Sequence, residues 1–240
     1  MRTTILPSML EIIARNYNYR NAAVRLYELG KVYFKRPDGL ADEPKMLSLG
    51  AYGNGMDFYQ LKGAVEEVLD TLRVKDVRFV TEKENPSYHP GRCAKVYAGE
   101  KYLGVLGQIH PLVAQNYGVD AEIYCAEIEF TALFSLTGDT PIYTPLPRFP
   151  ASTRDLSVVC DEAVTVGDLT GTIRANGGKY LESVQFVEVY RGAPIRAGQK
   201  SVTFSLTLRA EDQTLTVDEA EETMNAILAG LKETNGAVIR

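Results

Sequence analysis

The segment Arg154-Asp-Leu-Ser-Val-Val-Cys-Asp161 alternates apolar and polar residues and reads as a strand, with Leu156, Val158 and Cys160 on one face. A second strand ends in Val187-Glu-Val-Tyr-Arg-Gly192. A loop carrying Gly198-Gln-Lys-Ser201 leads into a third, Val202-Thr-Phe-Ser-Leu-Thr-Leu-Arg209. Thr216-Val-Asp-Glu-Ala-Glu-Glu222 then opens a long helix. Thr216 followed by Glu219 makes a capping box, and Ala220, Met224, Ile227, Leu228 and Leu231 share one face. Gly236 supplies the C-cap, and Ala237-Val-Ile-Arg240 closes as a fourth strand. The β-α-β-β-α-β order predicts a ferredoxin-like domain.

Immediately upstream, Leu136-Thr-Gly-Asp-Thr-Pro-Ile-Tyr-Thr-Pro-Leu-Pro-Arg-Phe-Pro150 holds four prolines and a Gly-Asp pair, and no helical or strand period survives it. It predicts a junction, with one domain over 1–138, a linker over 139–146 and the ferredoxin-like domain over 147–240. The first domain reads as α+β, with mostly antiparallel strands and helices packed on one face. Pro7 sits in the first turn of a helix through about Tyr19. Arg25–Phe34 reads as a strand broken at Gly30, with Met46–Tyr52 as its partner. Phe58–Val74 is an amphipathic helix. Strands follow near Val77–Glu82, Arg92–Ala98, Tyr102–Gln108 and Glu122–Phe130, with a short helix after His110-Pro111.

Composition sets bounds. The 240 residues suit one large or two small domains, and no apolar stretch is long enough to span a membrane. Three scattered cysteines, Cys93, Cys125 and Cys160, make neither a zinc spacing nor a disulfide framework, so a reduced, cytoplasmic setting is the natural reading. A net charge of −5 argues against affinity resting on broad phosphate neutralisation. It leaves room for an RNA held by a few local contacts; DNA is not an expected partner.

Motifs for catalysis are sparse. The only histidines are His89 and His110; the first lies near Cys93 with no orienting third group, and the second opens a helix. There is no Walker A loop, dinucleotide fingerprint or HExxH helix. Gly50-Ala-Tyr-Gly-Asn-Gly55 lacks the Lys-Ser/Thr of a phosphate loop, and Glu66, Glu67 and Asp70 read as a solvated helix face. No catalytic residue, metal site or bound cofactor is expected in this chain.

The sharper cluster lies in the ferredoxin-like half. Antiparallel pairing brings Tyr190, at the end of the second strand, next to Lys200 and Ser201 at the start of the third. Glu188, two residues before Tyr190, shares its face, and Arg191 and Arg196 border the same loop. Such a set can stack a base, accept a hydrogen bond from its edge and hold a phosphate. The same residues also fit a loop with a buried tyrosine and scattered charges.

At these residues the chain resembles the ferredoxin-fold anticodon-binding domain of the bacterial phenylalanyl-tRNA synthetase β subunit. Pro147-Arg-Phe-Pro-Ala151, Arg154-Asp155, Val189-Tyr-Arg-Gly192, Gly198-Gln-Lys-Ser201 and Thr214-Leu-Thr-Val-Asp-Glu219 carry the resemblance. Where the family has Phe-Asp-x-Tyr, this chain has Phe186-Val-Glu-Val-Tyr190, with the carboxylate one methylene longer. The first domain is similar to the class II synthetase-like core of the same subunit. The matching stretches are Met1-Arg-Thr-Thr-Ile-Leu-Pro-Ser-Met-Leu10, Tyr27-Glu-Leu-Gly-Lys-Val-Tyr33, Leu61-Lys-Gly-Ala-Val-Glu66, His89-Pro-Gly-Arg-Cys-Ala94 and Leu103-Gly-Val-Leu-Gly-Gln-Ile-His-Pro111.

The resemblance implies anticodon contacts at Glu188, Tyr190 and Ser201; Arg154, Arg191 and Lys200 join them by charge and proximity. It implies a catalytic α subunit and phenylalanine tRNA as partners in an α2β2 assembly, with ATP and Mg2+ used by the holoenzyme. It implies further chain upstream of Met1. The ATP-clamping arginines of class II enzymes have no counterpart in Val32-Tyr-Phe-Lys35 or in Ala126-Glu-Ile-Glu-Phe-Thr-Ala132, so the core is expected to be catalytically silent. Two other classes stay open: a stand-alone ferredoxin-like regulatory protein binding RNA or an amino acid, and a self-sufficient adenylate-forming enzyme.

Overall fold

The computed structural model describes residues 1–138, 143 and 145–240. Most of the expected linker, 139–142 and 144, lies outside the described residues. Chain contacts divide the molecule into two compact units, Met1–Pro141 and Ile142–Arg240.

The first unit runs α1 (Leu6–Asn18), β1 (Val24–Lys31), β2 (Phe34–Lys35), β3 (Ala41–Asp42), β4 (Lys45–Tyr52), α2 (Phe58–Thr71), β5 (Val77–Thr81), β6 (Tyr88–Ala98), β7 (Lys101–Ile109), α3 (Pro111–Asn116), β8 (Tyr124–Glu129) and α4 (Phe130–Ser135). Its main sheet is antiparallel in the order β1-β4-β8-β7-β6-β5. Helices cover both faces, not one as the sequence suggests. Met9, Leu10 and Ile13 of α1 cluster with Val105 and Cys125, whereas Leu61, Val65 and Leu69 of α2 cluster with Leu106 and Ala126. Leu106 pairs with Ala126 and Gly107 with Cys125, so adjacent residues feed opposite faces. Central strands that are apolar on both sides have to be covered on both sides.

Several boundaries also shift. β1 runs through Gly30, where an added Cβ would strike Arg2, and stops at Lys31. β6 starts at Tyr88, and α4 occupies a stretch the pattern leaves unassigned. The N-cap residue of α1, Ile5, has no side chain that can cap, and the Thr4 hydroxyl accepts from the Leu6 N–H at 3.1 Å. Glu127 of β8 completes the cap, its Oε1 accepting from the Thr4 hydroxyl at 2.6 Å and from the Ile5 and Leu6 N–H groups at 2.7 and 3.1 Å.

The second unit runs β9 (Ser152–Asp161), α5 (Val166–Asn176), β10 (Leu181–Tyr190), β11 (Gln199–Leu208), α6 (Val217–Asn235) and β12 (Val238–Ile239). The sheet order is β10-β11-β9-β12, as a ferredoxin-like domain requires. Both helices begin with complete capping boxes, Thr165 with Asp168 and Thr216 with Glu219. Gly236 ends α6 in the left-handed region, at φ 61°. Leu169 and Ile173 of α5 and Ile227 and Leu231 of α6 pack with Leu156, Val158, Val202, Phe204 and Leu206. The other face of the sheet is turned away from the helices.

Candidate nucleic-acid interface

A slip in one ladder decides what the outer face of the second sheet presents. Val184 pairs with Leu206 and Phe186 with Phe204, on the helix side. The register then shifts by one residue at Val187, so that Glu188 pairs with Thr203, Val189 with Val202 and Tyr190 with Ser201. A strand residue inserted without a partner reverses the alternation beyond it. Val189 therefore returns to the core, and Glu188 and Tyr190 reach the outer face. Ladder partners extend the rows: Ser201 pairs with Val159 and Val159 with Val238, while Thr203 pairs with Ser157. The Arg240 N–H donates to the Ser157 carbonyl at 2.9 Å, placing Arg240 at the end of the second row.

The three residues implied by the resemblance thus share one face. Tyr190 keeps 38% of its surface exposed, and its hydroxyl donates to the Ala193 carbonyl at 2.9 Å. This is neither the buried tyrosine of the alternative reading nor a free side chain. Glu188 is exposed and makes no hydrogen bond or ion pair among the described residues. Ser201 is 1% exposed, and its Oγ has no hydrogen-bond partner. In the next row the Ser157 and Thr203 hydroxyls are 2.9 Å apart and bonded to each other.

The three cations placed there by proximity behave differently. Arg191 grips Glu162 with Nε at 3.1 Å and Nη2 at 2.6 Å, and this contact holds the Glu162 carboxyl below its ordinary range. Lys200 pairs with Cys160 on the helix side, is buried, and donates from Nζ to the Glu162 carbonyl at 2.9 Å. Burial raises the Cys160 thiol, and the Lys200 charge opposes that rise. Arg154 pairs with Leu206, also on the helix side and far along the strand from Ser201; its Nη1 donates to the Thr153 carbonyl at 3.2 Å. These placements correct the expectation that all three border the Tyr190 face. Strand parity sends Lys200 and Arg154 to the opposite side, and Arg191 is engaged by Glu162.

The cation that does reach the face is Arg240, which sequence reasoning passed over. Its guanidinium lies over the Tyr190 ring, 5.1 Å from the centroid. Only the strand order, with β12 and β10 at opposite edges, relates the two residues. The one available signal was parity, since Arg240 is two residues beyond Val238.

The first unit offers polar chemistry of another kind. Arg92 Nη1 donates to Gln108 Oε1 at 2.7 Å and to Glu122 Oε1 at 3.0 Å, while the Tyr124 hydroxyl donates to Glu122 Oε2 at 2.7 Å. Burial pushes the Tyr124 hydroxyl up to about 12, and the bond from Tyr124 leads in lowering Glu122. Both histidines serve the backbone: His89 Nδ1 accepts from the Gly91 N–H, and His110 Nδ1 from the Leu112 N–H. Burial pushes the Cys93 thiol up to about 12 and Cys125 higher still, so neither is an activated nucleophile. Among the described residues no group of His, Cys, Asp or Glu side chains could hold a metal ion. Among them, too, no helix is long and apolar enough to cross a membrane.

Two family descriptions match the chain. Residues 1–130 match the family described as phenylalanyl tRNA synthetase beta chain CLM domain, and residues 147–240 match the ferredoxin-fold anticodon binding domain. The chain belongs to the phenylalanyl-tRNA synthetase β-chain family. It is 39% identical over its whole length to the phenylalanine–tRNA ligase β subunit of Clostridium acetobutylicum and 40% identical to that of Clostridium tetani. In both cases it spans 30% of the relative's length. A pyrrolysyl-tRNA synthetase structure from Desulfitobacterium hafniense aligns with 55% of the chain and 48% of its own, at 17% identity and a TM-score of 0.48.

Proposed function

We propose that this chain forms the anticodon-holding and scaffolding portion of a phenylalanyl-tRNA synthetase β subunit. The observation that carries the reading is the register that sets Glu188, Tyr190 and Ser201 side by side on one outer face. Tyr190 offers a ring on which a base stacks, Glu188 an acceptor for the N–H groups of a base edge, and Ser201 a hydroxyl lacking a partner. The residues over 1–138 serve as a catalytically silent scaffold for the catalytic α subunit. Tyr27 and Leu29 stand exposed on β1, an edge strand of the sheet, where a partner subunit can cover them. The cytoplasmic holoenzyme, an α2β2 assembly, joins phenylalanine to its tRNA with ATP and Mg2+ bound in the partner. This chain contributes none of the arginine clamps for that chemistry.

The direct test is binding of a labelled hairpin carrying the anticodon stem and loop of phenylalanine tRNA. Preference over a hairpin with a scrambled loop, lost in Tyr190→Ala, is the expected result. Equal binding of both hairpins would refute the reading. ATP–pyrophosphate exchange by the chain alone should be absent; turnover that follows the chain through purification would refute the silent core.

A further inference from the structure

A nucleotide stacked on the outer face of β9–β12 brings a phosphate with it, and contacts to that phosphate position the base. The cations closest in sequence to Tyr190 and Ser201 are held elsewhere, Arg191 on the Glu162 carboxylate and Lys200 on the Glu162 carbonyl. Arg240 is placed otherwise. Its backbone N–H, tied to the Ser157 carbonyl, fixes it in the Ser157–Thr203–Glu188 row. Its side chain runs back across the face to the Tyr190 ring. Among the described residues it makes no ion pair, although the Glu188 carboxylate stands on the same face. Beside Tyr190 in the register lies the buried Ser201 hydroxyl, unbonded. A buried hydroxyl that the fold leaves without a partner can accept or donate to a ligand seated beside it.

We infer that Arg240 is the phosphate-binding residue of this face and that it covers the Tyr190 ring until RNA arrives. In the free chain the guanidinium rests on the ring. When a base takes the ring, the guanidinium turns to the phosphate of that nucleotide or its neighbour, and the Ser201 hydroxyl gains its hydrogen bond. The exchange favours the complex. A guanidinium over an exposed ring is held weakly, whereas a stacked base with a charge-assisted arginine–phosphate contact is held more strongly. This inference rests on the anticodon reading of the face and adds a residue and a movement to it.

The experiment titrates the anticodon hairpin against the wild-type chain, Arg240→Gln, Arg240→Lys and Tyr190→Ala over a series of KCl concentrations. Arg240→Gln should lose roughly tenfold in affinity. The slope of log affinity against log salt should become shallower by about 0.7, the loss of one phosphate contact to a single strand. Arg240→Lys should keep the slope. Melting of Arg240→Gln should match the wild type, which separates a contact from a folding defect. Wild-type affinity and slope in Arg240→Gln, with weakened binding in Tyr190→Ala, would overturn the role of Arg240 and leave the face intact. Tighter binding with an unchanged slope would reduce Arg240 to a cover for the ring and overturn its phosphate role. Indifference of both variants would refute the anticodon reading itself.

Discussion

Replacing Tyr190 with alanine tests the outer face most sharply, because the ring and the hydroxyl have separable roles. A base stacked on the ring contributes about 1–3 kcal/mol. In the free chain the Arg240 guanidinium occupies the ring, an exposed cation–π contact worth about 0.5–1 kcal/mol that a base displaces. Taking the middle of each range leaves about 1.3 kcal/mol, a loss of roughly tenfold in hairpin affinity on Tyr190→Ala. The hydroxyl acts on the loop instead. Its bond to the Ala193 carbonyl tethers that loop and contributes about 0.5–1.5 kcal/mol to stability. Tyr190→Phe keeps the ring and deletes only that bond. Fluorescence anisotropy with the anticodon hairpin and thermal melting, run on both variants, separate the two. Phenylalanine should melt earlier yet bind almost as well as the wild type, whereas alanine should lose affinity. The reasoning fails if alanine binds like the wild type, or if phenylalanine loses as much affinity as alanine.

Glu219 gives a pH dependence. The Thr216 N–H, the Tyr180 hydroxyl and the Thr216 hydroxyl, in that order, hold its carboxyl at about 2, below the ordinary 4.5. A depressed carboxyl stabilises the fold above its unfolded value and loses that effect as pH falls through the folded one. The second unit should therefore melt progressively earlier from pH 4.5 down to about 2, and Glu219→Gln should flatten that decline in a calorimetric series. Leu231→Ala, deep in the helix–sheet core of the second unit, should cost about 2–5 kcal/mol. Calorimetry should show one transition lowered and the other unmoved; a joint shift would contradict two independently melting units. Gly104→Ala should destabilise the first unit, because a Cβ there collides with the Glu127 backbone oxygen across the central strands. A melt identical to wild type would show that β7 and β8 do not approach so closely. Deleting Val187 should remove the slip yet keep Glu188 opposite Thr203 and Tyr190 opposite Ser201, so hairpin binding should persist; lost binding with circular dichroism showing a retained fold would mean that the pairing beyond the slip does not by itself place Tyr190.

The order of elements in the second unit was legible because each is announced locally. Thr216 and Glu219 mark a helix start, Gly236 a stop, and the alternation of Leu156, Val158 and Cys160 a strand. The same holds for Pro7 in α1 and for His110-Pro111 opening α3. α4 was hidden because Phe130–Ser135 continues straight from β8, with no side-chain cap bond or proline to mark the change. The slip at Val187 was hidden as well. Val184 and Phe186 pair on the helix side, but Phe186 is exposed, so no run of buried residues marks the change of face before Val189. The ladder with β11 is what shows the inserted residue.

The sequence by itself determined most of the strands and helices, and that an aromatic ring, a carboxylate and a hydroxyl meet near one strand end. Those features depend on neighbours a few residues apart, through capping, turn chemistry and the two-residue period of a strand. Only the tertiary structure decided which charges stand on the outer face. It turned Lys200 and Arg154 toward the helices, joined Arg191 to Glu162, and carried Arg240 from the far edge strand to Tyr190. The physical reason is that a side chain's face is fixed by the register of its ladder, and its neighbours across a sheet by strand order. Both are set by pairings between residues far apart in sequence, which no local pattern specifies.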